Sequence, residues 1–154
     1  PRVRHEHFRT LDVDEEAYKL RIPKAKTGFR ECPVSNETKK RATILDNARG
    51  LRKDDPLVMN DGDAYSERQI QRWVSNAAED LAEEDGDEWR YVTAHDLRRT
   101  WATYTYYSLH ESPGARDIIM RWGGWVDEET FRENYVGREP DDLALQLMEE
   151  AGLR

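Results

Sequence analysis

A mainly helical α+β domain with one small antiparallel β-hairpin is the fold class this sequence predicts. Three observations lead there. Apolar residues recur at helical spacing through the second half of the chain, a single pair of alternating segments lies between residues 18 and 35, and strands and helices never alternate as a parallel sheet requires. Taken in order, YKLRIP (18–23) and FRECPVS (29–35) flank Lys26, Thr27 and Gly28, which predicts a hairpin whose turn uses Gly28 for a positive φ. Ser35 or Asn36 then caps a helix running to about Asn47, and Gly50 ends it. From Ser66 a clearer helix follows, with Ile70, Trp73, Val74, Ala77, Ala78 and Leu81 in one apolar stripe. The acidic run EEDGDE (83–88) reads as a solvated loop. Thr93 and Asp96 have capping-box spacing for a helix from Ala94 to about His110. Ser112 and Pro113 supply an N-cap and a first-turn proline for the next helix, which Gly123 and Gly124 stop. Asp127 to Tyr135 forms a short helix closed by Gly137, and Asp141 to Glu150 forms a last one with Leu143, Leu147 and Met148 apolar.

The length of 154 residues favours one domain, and 37% apolar against 36% charged residues demands an economical core. No apolar run approaches a membrane span, and PRVRHEHFRT has no signal-peptide character, so the expected location is the cytoplasm. With Cys32 as the one cysteine, an internal disulfide and a multi-thiolate metal site are excluded. A net charge of -8 argues against generic nucleic-acid binding, but the charge is unevenly spread. Residues 61–88 hold ten acids against Arg68 and Arg72, whereas residues 1–30 hold eight bases against five acids. A basic face and an acidic back fit that distribution. Arginine outnumbers lysine eighteen to six, and high acid with little lysine suits a salty, halophile-type cytoplasm. There, close arginine–phosphate contacts matter more than long-range steering.

The residues that carry chemistry are ordinary when taken singly. His95 and Arg98 lie three apart in TAHDLRRT and so project from one helix face, as many charged surface pairs do. Tyr135 ends a short helix in FRENYVG, where a tyrosine usually packs. Trp125 in RWGGWVD reads as core, Lys26 as an exposed hairpin tip, and Arg99 as solvated or paired with an acid. Their order along the chain singles them out. In that order the sequence resembles the catalytic domain of the tyrosine recombinase (phage-integrase) family over nearly its whole length. AKTGFRECPVS resembles the family's lysine hairpin, TAHDLRRTWAT the segment of its second arginine, and GGWVDEETFRENYVG its final box. The resemblance implies Lys26, His95, Arg98 and Trp125 as phosphate-handling residues and Tyr135 as the nucleophile. Trp125 stands where histidine is commoner, and the step to Tyr135 is one residue longer than usual. The family's first arginine belongs to a T-G-x-R-x-x-E segment expected just before PRVRHEHF; neither Arg2 nor Arg4 has that context. The expected domain therefore spans 1–154 and lacks its N-terminal segment.

Phosphodiester chemistry explains the residue types. Arg98 would hold two oxygens with its planar fork, while His95 and Trp125 donate to the same group. A tyrosine hydroxyl titrates near about pH 10, so one that attacks at neutral pH needs cations or a base beside it. Lys26 would protonate the departing 5′ oxygen. The resemblance implies a covalent 3′-phosphotyrosyl intermediate, double-stranded DNA as partner, and a tetramer on DNA joined through the C-terminal helix. No cofactor is expected: H-E-x-x-H, D-x-D-x-D-G, G-x-G-x-x-G and phosphate-loop patterns are all missing. Tyr104, Tyr106 and Tyr107 in TWATYTYY are rival nucleophiles, read here as packing residues. The alternatives are an inactive DNA-binding or assembly module of the same fold, and a helical interaction protein.

Overall fold

The computed structural model describes residues 4, 7–12, 15–26, 28–52, 55–61, 63–109 and 111–153. They fall into two compact units, Pro1–Ile70 and Gln71–Arg154. In the first, strands β1 (Phe8–Asp12), β2 (Ala17–Ala25) and β3 (Gly28–Val34) form an antiparallel sheet in that order. The expected hairpin is β2–β3, in register from Tyr18 opposite Val34 to Ile22 opposite Arg30, with a shift before Ala25 meets Gly28. Gly28 takes a φ of 95°, while Thr27 lies outside the described residues. β1 adds a third strand that five residues, FRTLD, did not announce. Both prolines of the sheet sit where a missing N–H does no harm. Pro33 is on the edge strand β3, and Pro23 lies beyond the pairing of β1, where the β2–β3 register also shifts.

Helix α1 (Asn36–Arg49) has the expected ends. The Ser35 hydroxyl accepts from the Thr38 N–H at 3.1 Å, and Gly50 closes the helix in the left-handed conformation. The Lys39 ammonium lies 5.4 Å from the Phe8 ring and 5.9 Å from the Tyr18 ring, tying α1 to β1 and β2 by cation–π attraction. Two further strands, β4 (Met59–Asn60) and β5 (Asp63–Ala64), make a minimal antiparallel pair near the end of this unit.

The second unit is helical. It holds most of α2 (Glu67–Asp85), a 3-10 turn (Asp87–Tyr91), α3 (Ala94–Ser108), α4 (Ala115–Gly123), α5 (Glu128–Asn134) and α6 (Asp141–Glu150). Its core is economical, as the composition requires. Ala102 of α3, Ile119 of α4 and Phe131 of α5 are fully enclosed, with Trp101, Tyr106, Met120, Trp122, Trp125 and Tyr135 packed around them. Alanine at the contact lets the helices approach closely, and the aromatic residues fill the space around it.

Three local expectations change. The acidic run is exposed but is not a loop. α2 continues to Asp85, only Gly86 (φ 135°) interrupts, and the 3-10 turn starts at Asp87. Glutamates in solvent are good helix formers, so nothing stops the helix before a residue that needs positive φ. α4 begins at Ala115, after Gly114 at φ 76°, and not at Pro113. The left-handed glycine cannot join the helix, and buried Ala115 is where the core starts. The α2 stripe is covered only toward its C-terminal end: Ala78 and Ala82 are buried, whereas Ile70, Trp73 and Ala77 are exposed. Among the described residues no helix is long and apolar enough to cross a membrane.

Candidate active site

The site is assembled by the two ends of short helices meeting on α3. The start of α3 is set by a complete capping box: the Thr93 hydroxyl accepts from the Asp96 N–H, and the Thr93 N–H donates to the Asp96 carboxylate at 3.0 Å. This fixes His95 in the first turn, exposed, and places Arg98 half-buried one turn on. The Thr93 hydroxyl, 2.5 Å from Asp96 Oδ2, and then the Thr93 backbone N–H hold the Asp96 carboxyl below its ordinary value. A depressed carboxyl stabilises the fold above its unfolded value, and that contribution disappears as pH falls through the folded value. Below about pH 4 the thermal midpoint of the parent protein should therefore drop more steeply than that of Asp96→Asn. Parallel acid limbs in a melting series would refute it.

The α4–α5 connection places Trp125. Gly124 is left-handed at φ 78°, and both its N–H and that of Trp125 donate to the Met120 carbonyl, at 2.7 and 2.9 Å. This reversal lays the indole over Gly123, where an added Cβ would stand 1.8 Å from Trp125 Cζ3. The indole stacks on Trp101 at 6.2 Å and tilts against Phe131 at 4.9 Å and Tyr135 at 4.7 Å. Arg98 lies across the assembly. Its Cζ is 4.2 Å from the centre of the Trp125 ring system and 5.7 Å from that of Tyr135, and its Nη2 donates to the Gly123 carbonyl at 2.7 Å. No carboxylate pairs with Arg98 among the described residues. His95 meets Tyr135 edge to face at 5.3 Å.

Four of the five predicted residues, His95, Arg98, Trp125 and Tyr135, thus come together within the second unit. Lys26 is exposed in the β2–β3 turn of the first. The Trp125 indole N–H is shielded from solvent and has no acceptor among the described residues. An unmade bond of this kind costs about 1–3 kcal/mol, so the indole N–H is a buried donor left unsatisfied within the cluster. Trp125 is also a core residue, which joins two readings that the sequence kept apart.

Tyr135 caps the C-terminus of α5. Its N–H donates to the carbonyl of the buried Phe131 at 2.9 Å. Thr103 of α3 donates its hydroxyl to the Tyr135 carbonyl at 3.0 Å and accepts from the Gly137 N–H at 3.0 Å. One helical turn later, Tyr107 donates to the Gly137 carbonyl at 3.2 Å. Burial first, then the Glu139 carboxylate, raises the Tyr107 hydroxyl above its ordinary value, so it stays protonated and donating. Sequence reasoning missed Thr103 altogether; its one trace there is the i,i+4 spacing to Tyr107. Of the rival tyrosines, Tyr106 packs edge to face on Phe131 at 6.4 Å, and Tyr104 points into solvent at 55% exposure. After Gly137, α6 stands beside the end of α3 across a cleft of about 250 Å³ lined by Tyr104, Tyr107, Pro140 and Leu143. Leu145, Leu147 and Met148 of α6 are exposed.

The contact between Gly123 and Trp125 yields a second expectation. Gly123→Ala should destabilise the protein by about 1–3 kcal/mol, because Cβ and the six-membered ring of the indole overlap. Histidine lacks that ring, so Gly123→Ala should cost much less in a Trp125→His background. Denaturation of the four proteins in a double-mutant cycle measures the coupling, and additive effects would refute it.

No family profile and no curated protein matches the chain. Among solved structures it is similar to the XerH site-specific recombinase, determined bound to palindromic difH substrate as a post-cleavage complex. That match has a TM-score of 0.68 and 19% identity, and covers 98% of this chain and 39% of that one. It is also similar to XerA recombinase, with a TM-score of 0.65, 17% identity, and coverage of 97% and 50% respectively. The chain thus spans half or less of each of these proteins. At such identities the likeness is one of fold.

Proposed function

We propose that this chain, whose fold is that of a tyrosine recombinase catalytic domain, cleaves and rejoins double-stranded DNA through a covalent 3′-phosphotyrosyl intermediate formed on Tyr135. One observation carries the reading: a half-buried arginine, a histidine, an indole and a tyrosine form one contact cluster, and among the described residues the arginine has no carboxylate partner and the indole N–H no acceptor. The Arg98 fork neutralises the non-bridging oxygens, whose charge grows during attack, and His95 donates a hydrogen bond to the same group. Trp125 offers a hydrogen bond but no proton. The Tyr135 oxygen bonds to phosphorus as the bond to the 5′ oxygen breaks. Its proton passes to a neighbouring base or to water, and Lys26 protonates the departing 5′ oxygen. Attack by a 5′ hydroxyl reverses the step and restores the phosphodiester, with bond energy conserved throughout.

In this reading the first arginine of the clamp comes from outside the 154 residues, and the chain by itself has little or no activity. Assembly into a tetramer on cytoplasmic DNA uses α6, whose exposed Leu145, Leu147 and Met148 support that role. The test uses the protein restored to full length and a suicide duplex whose nick lets the 5′ product diffuse away. A covalent complex that survives denaturation should appear, and peptide mass mapping should place the DNA on Tyr135. Absence of any adduct on the cognate site would favour an inactive DNA-binding module instead.

A further inference from the structure

We infer that Thr103 is a positioning residue for Tyr135, an inference that rests on the strand-transfer reading above. A helix C-terminus leaves carbonyls without intrahelical donors, and many helices resolve this with a left-handed glycine. α5 ends differently. Its cap, Tyr135, stays at φ -125° and ψ -20°, and the closing group comes from another helix. A single hydroxyl, that of Thr103, serves the Tyr135 carbonyl and the Gly137 N–H, each at 3.0 Å, and so brackets the residue that carries the phenol. Tyr107 fastens the Gly137 carbonyl from the same helix face. Gly137 permits this approach, since a Cβ there would lie 3.3 Å from Thr103 Oγ1.

The identity of the fastening helix is what matters. α3 also carries His95 and Arg98, and Thr103 follows Arg98 by about 7.5 Å along the helix axis. The phosphate-holding pair and the backbone of the nucleophile are therefore referred to one rigid element. Through α5 alone, Tyr135 would be located only by the short helix hanging on Phe131 and by the irregular segment that follows it. A hydroxyl that joins two backbone groups across 32 and 34 residues of sequence confines the phenol to the vicinity of Arg98.

The full-length protein carries the test, with Thr103→Val as the near-isosteric variant, Thr103→Ala in case the valine methyl disturbs Gly137, and Thr103→Ser as the conservative rescue. Three quantities are read: DNA affinity, the rate of Tyr135–DNA adduct formation at saturating suicide duplex, and amide exchange at Gly137 without DNA. Thr103→Val and Thr103→Ala should leave affinity unchanged and slow adduct formation by up to about 100-fold, the cost of misplacing a reacting group by about an ångström. Both should speed exchange at Gly137, and Thr103→Ser should restore rate and protection together. A purely structural role would lower stability and affinity along with rate, and would overturn the inference. So would variants that form adduct at the parent rate, or Gly137 exchange that ignores the hydroxyl. Failure of the parent itself to form adduct is a separate result, which removes the strand-transfer reading and this positioning role with it.

Discussion

Tyr135→Phe is expected to fold, to bind DNA and to form no covalent adduct. The ring of Tyr135 packs 4.7 Å from Trp125 and 5.3 Å from His95, with Arg98 across its face, and phenylalanine retains all three contacts. The fastening by Thr103 acts on the backbone and is indifferent to the change. Only the oxygen that would attack phosphorus is lost. Thermal melting and DNA titration should therefore match the parent protein, while a denaturing gel shows no shifted species. Persistent adduct would move the chemistry to another tyrosine. Tyr107 is committed to the Gly137 carbonyl and Tyr106 packs on Phe131, so exposed Tyr104 would be the first to examine.

Arg98→Ala should lose activity and phosphate affinity together. Removing one such electrostatic donor typically slows the chemical step about 100- to 1,000-fold. Because the guanidinium faces ground state and transition state alike, DNA affinity should fall as well, and the two losses separate by comparing the rate at saturation with the dissociation constant. The same substitution uncovers the Trp125 face and removes a donor from the Gly123 carbonyl, so a stability loss of about 0.5–2 kcal/mol is expected from the cation–π contact. Arg98→Lys keeps the charge but cannot stack as a plane, donate to Gly123 and hold two phosphate oxygens at once. It should bind DNA better than alanine and still form adduct poorly. An Arg98→Ala protein with parent-like adduct rate would remove Arg98 from the mechanism.

Much of the local structure was legible because its chemistry is local. The Ser35 cap, the left-handed Gly50, the Thr93–Asp96 box, the Gly124 stop and the limits of α6 each rest on bonds or dihedrals within about one turn of chain. The pairing of His95 with Arg98 on one face follows from helical periodicity alone. Where a local signal was read too narrowly, the result shifted by two or three residues. Pro113 suggested the start of α4, but Gly114 postponed it to the buried Ala115. The acids of 83–88 suggested a loop although solvated glutamates sustain a helix.

The remaining features depend on residues far apart in sequence meeting around Phe131. β1 exists because β2 offers it an edge; its five residues, FRTLD, do not alternate apolar and polar and carry no such instruction. Sequence order nominated His95, Arg98, Trp125 and Tyr135, but their mutual distances come from the packing of α3, α4 and α5 on one small core. The absence of a side chain at Gly123 has meaning only once the Trp125 ring lies on it. Thr103 is an ordinary helical threonine until Tyr135 and Gly137 arrive beside it. Caps and periodicity are encoded by neighbours in sequence. Distances between helices are encoded by the shapes that fill the space between them, and only the folded chain brings those shapes together.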